Sequence, residues 1–156
     1  MNNETLNSLG LLTARLTLGS VFFAHGAQKV LGWFGGFGIS GTMGYFQNTL
    51  GVPAPLALAG VLAEFIVSLM LLAGVSTGLA SVIAVFQMAA AIYLSHAKDG
   101  FFMNYFGQLP AGREGFEYNL VLIGIAIVLF FAGAGRYSLD SVWGLDFVRK
   151  FFGFAS

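Results

Sequence analysis

A chain of 156 residues that is 57% hydrophobic and only 9% charged, with a mean hydropathy of +0.81, holds more apolar surface than a water-soluble domain of this size can bury, so it reads as a membrane protein. A formal net charge of zero argues against nucleic acid as a partner, and the lack of cysteine excludes disulfide staples, thiol–disulfide exchange and iron–sulfur ligation within the chain. The 22 Gly and 17 Phe suit close helix contacts and lipid-facing bulk.

The N-terminal MNNETLNSLG has no Lys or Arg ahead of Arg15, and the apolar run behind it is too long for a signal-peptide core, so the first helix is expected to be retained. Four hydrophobic stretches follow, each near the roughly 20 residues that a bilayer requires: about 9–33, 56–75, 77–95 and 118–134. Between the first two lies GWFGGFGISGTMGYFQNTLGVP, which has no charged residue. It is expected at the membrane interface or partly re-entrant, with Trp33, Phe34, Tyr45 and Phe46 at headgroup level and a short helix starting at Ser40 or Thr42 and ending near Gly51. Pro53 and Pro55 mark the start of the second helix, and Gly74 to Thr77 form a tight turn into the third. A glycine-bearing aromatic loop, HAKDGFFMNYFGQLPAGREGFE, joins the third to the fourth. The tail, about 138–153, reads as an interfacial segment capped by Ser138, with Arg149 and Lys150 among Phe residues. The expected fold is all-α: one domain over 1–156, an antiparallel four-helix transmembrane bundle with interfacial loop segments.

Polar residues inside the spans are the informative ones, because ionisable groups in a spanning helix are costly and face the protein interior. At 100° per residue with Arg15 at 0°, Lys29 falls at about −40°, His25 at about −80°, Gly19 at about +40° and Gly26 at about +20°. Charges and small residues share one side of the first helix, and that side is expected to pack inside the bundle.

The motifs AHGAQKVLGWFGG and GTMGYFQNTLGVP, then Glu64, then GFEYN opening the fourth helix and GAGRYSLD closing it, resemble in order and spacing the DoxX family over about Leu9 to Trp143. The resemblance implies a four-helix protein of the prokaryotic inner membrane. The family is named for its likeness to a membrane subunit of a thiosulfate:quinone oxidoreductase, and its members are tied to redox or stress pathways. It supplies no list of catalytic residues to carry over.

Depth along each helix follows from about 1.5 Å per residue. Lys29, His96 and Glu117 fall near the surface away from the termini, His25 roughly 10 Å deep, and Glu64 and Gln87 roughly 15 Å deep, with Arg15 further towards the terminal side. Lys29, His25, His96 and Glu117 are thus expected to ring one mouth, with Glu64 and Gln87 as its floor. Glu64 has no partner within its own helix, so it must meet a cation or stay protonated; His25 is nearest in depth and Arg15 is the other candidate. The pair is either a register-fixing ion pair or part of a ligand or proton site. Arg15 and Lys29 each have the alternative of snorkelling, Gln87 that of an interhelical hydrogen bond, and Glu117 that of a helix N-terminus, with Arg113, Glu114 and Glu117 forming a solvated rim. A haem held by His25 and His96 does not suit their different depths, and a metal site from these histidines with Glu64 or Glu117 has no spacing signature.

Three functions fit. A quinone-linked redox subunit would bind a quinone in this cavity and take electrons from a soluble partner protein, having no evident cofactor of its own. A non-catalytic module would bind or transport a small hydrophobic molecule. An assembly factor would serve a membrane complex. Four spans put both termini on one side, which holds Arg136, Arg149 and Lys150 against Lys98 and Arg113 on the other, so the termini are expected in the cytoplasm. Single cysteines at Asn3, Ser156 and Gly107 test this. Labelling of the first two from the cytoplasm and of Gly107 from the opposite face is expected, and cytoplasmic labelling of Gly107 would overturn the topology.

Overall fold

Asn2 opens the first helix: its side chain accepts from the backbone N–H of Thr5 at 3.0 Å, so α1 runs Asn3–Val30 rather than starting near Leu9 and ending at Trp33. It stops because Gly32 turns left-handed (φ 72°), and a short 3₁₀ turn, Trp33–Gly35, follows. The uncharged linker folds into α2, Gly38–Asn48, which begins ahead of Ser40 and Thr42 without a side-chain cap. Then come α3, Ala54–Ala73; α4, Thr77–Ala91, extended by a widened π turn over Ile92–His96; and α5, Glu117–Ala132. Two short helices, α6 (Leu139–Trp143) and α7 (Phe147–Phe151), make the tail. The computed structural model describes residues 2–154, and among them every regular element is helical.

α1 packs on α3, α3 on α4, α4 on α5, and α5 back on α1, while α2 lies against α1 and α3. Leu18, Phe22, Val67, Leu71, Ala80, Ala84, Leu122, Ala126 and Leu129 form the shared core. The α1–α3 contact depends on small residues, as their position on the helical wheel suggests. A Cβ on Gly26 would sit 2.8 Å from Phe65 Cα, and one on Gly19 would press on Leu71 and Leu72. The opposite faces stay apolar and exposed, with Leu56, Leu62, Ile66 and Leu69 on α3 and Val121, Val128 and Phe131 on α5. This is the surface a bilayer covers. α1, α3 and the α4 segment through Asp99 are long and apolar enough to span it. α5 is 16 residues, about 24 Å at 1.5 Å per residue, and so shorter than the full fourth span expected over 118–134.

The tail is no surface appendage. The Asp140 carboxylate accepts from Ser76 N–H (2.6 Å) and Thr77 N–H (2.8 Å), and Asp146 accepts from Gly78 N–H (3.1 Å), so two acids close the first turn of α4. Arg149 donates to the carbonyls of Phe130 and Phe131 near the C-terminus of α5, each at 3.0 Å, and is buried there instead of lying at the interface among Phe residues. Asp140 N–H donates to Gly74 O (2.8 Å) beyond α3, and Arg15 on α1 donates to Tyr137 O (2.6 Å). Ser138 does cap α6, accepting from Ser141 N–H at 3.2 Å. Ser76 is held in a left-handed conformation (φ 46°) that a serine adopts at a cost; Asp140 and Leu145 O bind its N–H and hydroxyl. Gly74 is left-handed too (φ 68°), and a Cβ there would overlap the Arg15 guanidinium. Burial pushes the Asp146 carboxyl above its ordinary range, and the N–H groups of Gly78 and Arg149 pull against that shift.

Asp140→Ala is expected to lower stability by about 2–3 kcal/mol, since it strips two charge-assisted bonds from a buried helix end. Val142→Ala, at an exposed position of the same helix, should stay within about 0.5 kcal/mol of wild type. Thermal unfolding in mild detergent compares them, and equal melting of the two variants would remove the clasp from the account.

Candidate functional site

At the pole opposite the tail, α1 and α3 bring one ion pair together. Lys29 Nζ lies 2.5 Å from Glu64 Oε2, with the glutamate side chain 10% exposed and the lysine 30%. Sequence reasoning names His25 or Arg15 as the partner of Glu64; the structure gives Lys29. Glu64 sits about three turns below the surface end of its helix, and the long lysine stem reaches down to it instead of snorkelling up to the headgroups. Arg15 is far from this site. It is 2% exposed at the tail pole, donates to Tyr137 O, and its Nε and Nη1 have no hydrogen-bond partner among the described residues. It leaves the cavity set.

Two cavities meet at the pair. One, of about 370 Å³, lies between α2, α3, α4 and the α4–α5 loop, with Gln87 on its wall. The other, of about 350 Å³, lies between α1, α4 and α5 and is lined by His25, Phe22, Tyr118 and Asn119. Lys29, Glu64, Met88, Ala91, His96 and Glu114 border both. The structure thus brings His25, Lys29, Glu64, Gln87 and His96 around one two-lobed space. Gln87 Nε2 donates to Gly60 O at 3.0 Å, tying α4 to α3, while its Oε1 is buried with no partner among the described residues. His96 falls in the π turn. Its Nδ1 is 2.9 Å from Glu114 O, so the widened turn aims the ring at the loop.

Glu117 borders neither cavity. Its carboxylate accepts from Met103 N–H at 3.0 Å and its own N–H donates to Phe101 O at 2.8 Å, fastening the loop instead of facing a ligand. Glu114 is the reverse case: read from sequence as solvated rim, it stands half-buried at both cavities and accepts from Asn104 N–H at 2.5 Å. Arg113 does remain exposed, paired with Asp99. Sequence reasoning also misses Met88 and Asn119, whose amide contacts Met88 Sδ at 3.5 Å, and it expects Tyr45 and Phe46 at headgroup level, where the structure also sets them on the wall of the first cavity. The GFEYN motif contains Asn119 and was the available signal. Among the described residues no group of three His, Asp or Glu side chains is placed to hold a metal ion.

The arrangement sets a cationic donor, two carboxylates and two imidazoles against apolar walls, with one unpartnered amide oxygen buried behind them. Glu64→Ala leaves Lys29 half-buried without its partner and is expected to cost roughly 1–3 kcal/mol, less than a fully buried pair because the lysine keeps some exposure. The double variant Lys29→Met/Glu64→Leu should recover most of that loss. A double variant no more stable than Glu64→Ala, measured by unfolding in detergent, would deny the pair its energetic role.

The model of the DoxX family matches residues 10–97, from α1 through the π turn that carries His96. The match is narrower than the resemblance read from the motifs, since GFEYN and GAGRYSLD lie beyond it. No curated protein and no solved structure matches the chain. With more than half of its length matched, including Lys29, Glu64, Gln87 and His96, the chain belongs to the DoxX family.

Proposed function

We propose that this multi-pass membrane protein binds a quinone-like small molecule at the Lys29–Glu64 pair, as a subunit of a quinone-linked redox or stress-response system in the prokaryotic cytoplasmic membrane. The observation that carries this reading is the meeting of two cavities at one nearly buried ion pair. Each volume lies within the range of about 300–1,000 Å³ typical of small-molecule sites. A quinone is an apolar ring bearing two carbonyls. Lys29 would donate to one carbonyl, and His25 or His96 to the other. Met88, Ala91 and Phe22 supply apolar contact for the ring. Reduction of a quinone to its quinol takes two electrons and two protons. A soluble partner protein would deliver the electrons. Glu64 and the histidines are the groups here that exchange protons with a bound ring, and His96 stands next to the loop through which they reach water.

The test is titration of short-tailed ubiquinone and menaquinone analogues against purified protein in detergent. Wild type should bind at least one of them saturably. His25→Ala should weaken binding by up to about tenfold, the equivalent of one hydrogen bond to a neutral carbonyl, with melting unchanged. Glu64→Gln should fold yet bind less well. If neither analogue binds saturably the quinone reading fails. A different apolar metabolite found by mass spectrometry after mild extraction would then favour a binding or transport module. Full function without the polar residues would favour an assembly factor.

A further inference from the structure

Lys29 borders a third cavity, of about 510 Å³, enclosed by the end of α1, the glycine turn after it and α2. The three cavities around Lys29 differ in where their far ends lead. The first ends among Lys98, Asp99 and Arg113, a charged rim that faces water. The second ends against Phe22 and Leu122, which are 1% and 4% exposed and belong to the core, while its outer wall carries the exposed His25 and Tyr118 beside the half-buried His96 and Glu114. The third has Lys29 as its sole charge, and its remaining walls are Gln28, Thr42, glycines and the rings of Phe37, Tyr45 and Phe46. Its outer side is Phe37, 85% exposed, beside the exposed rings of Trp33 and Phe34. Such rings belong at the lipid interface. Of the three, the third cavity alone joins Lys29 to a wall of exposed aromatic rings with no other charge, and it makes a way from the lysine to the bilayer.

The cover of that way is lightly held. α2 buries a single residue, Thr42. The segment leading into it holds Gly32, Phe34, Gly35 and Gly38 at positive φ, and Phe34, a bulky residue that disfavours this conformation, is tied to α1 by the Gln28 side chain bonding its carbonyl at 3.2 Å.

We propose that the natural occupant is an amphiphile that enters from the membrane, with its polar head at Lys29–Glu64 and a long apolar tail in the cavity beneath α2. This rests on the head-group reading above and adds the tail, its route and the element that covers it. A quinone carrying a prenyl or alkyl tail meets the description; a tailless, water-borne quinone does not.

The probes are a benzoquinone with a decyl tail bearing a terminal diazirine, the same molecule without the diazirine, and the tailless 2,3-dimethoxy-5-methylbenzoquinone. Each is tested on the full chain in lipid nanodiscs. Photolysis of the diazirine probe should label peptides within 35–46. Thr42→Phe, which narrows the cavity, should weaken the decyl compound by about tenfold, as loss of contact by roughly two methylenes would, and leave the tailless head within twofold. Saturable head binding with label on α5, or equal loss of both compounds in Thr42→Phe with wild-type labelling outside 35–46, would overturn the tail assignment while the head site stands. Labelling of 35–46 that an excess of the decyl compound does not compete would mark simple lipid-phase contact and would also overturn it. No saturable binding of either compound would remove the head site and this inference together.

Discussion

Asp140 binds the N–H groups of Ser76 and Thr77, Asp146 binds Gly78, and Arg149 binds the last carbonyls of α5. Backbone groups at a helix end have no partner within the helix, and away from water each unpaired one is expensive. A helical bundle in lipid must answer for these ends. Here one tail of the chain answers for two of them at once. It sets acids on the positive end of α4 and a guanidinium on the negative end of α5, the favourable sense for both helix dipoles. The strained Ser76 and the close approach of Arg15 to Gly74 persist because this network over-determines the corner.

The two poles then divide the labour. At the tail pole the carboxylates of Asp140 and Asp146 and the guanidinium of Arg149 are tied to backbone as structural plugs, though Arg15 Nε and Nη1 and the Thr77 and Ser81 hydroxyls there keep no partner among the described residues. At the other pole the charges are less completely spent. Lys29 and Glu64 hold each other, Gln87 keeps a buried oxygen without a partner among the described residues, and His25 stands exposed at the second cavity. Polar groups that a fold does not consume, set against apolar walls, are where a ligand finds its contacts. The π turn at Ile92–His96 belongs to this pole, where an interrupted helix swings one side chain towards a loop.

Hydropathy made the spans legible, because twenty apolar residues have few other uses, and the starts of α3 and α4 follow from Pro53, Pro55 and the Gly74 turn. The Gly19 and Gly26 face of α1 was legible from angle alone. What escaped depends on reach and on distant partners. Depth counted on the backbone places Lys29 at the surface, yet its side chain descends to Glu64, so the structure pairs Glu64 with Lys29 and not with His25 or Arg15. Arg15 shares a helical face with Lys29, but the groups that claim it, Tyr137 and the corner at Gly74, lie 122 and 59 residues away in sequence. The same holds for Arg149, whose burial no local pattern announces. Glu114 and Glu117 look interchangeable in REGFE, and both accept from loop N–H groups; only the folding of the loop decides that Glu114 borders the cavities and Glu117 does not.

The clasp has a consequence for the order in which the molecule is made. Its side chains lie C-terminal to α5, so translation delivers all the long helices before it delivers the groups that close their ends. Until then the first turn of α4 and the last carbonyls of α5 must be served by water at the membrane surface. Insertion of the helices and completion of the bundle are therefore separate events. The nascent protein passes through a stage in which its hairpins are already made and its corner is still open.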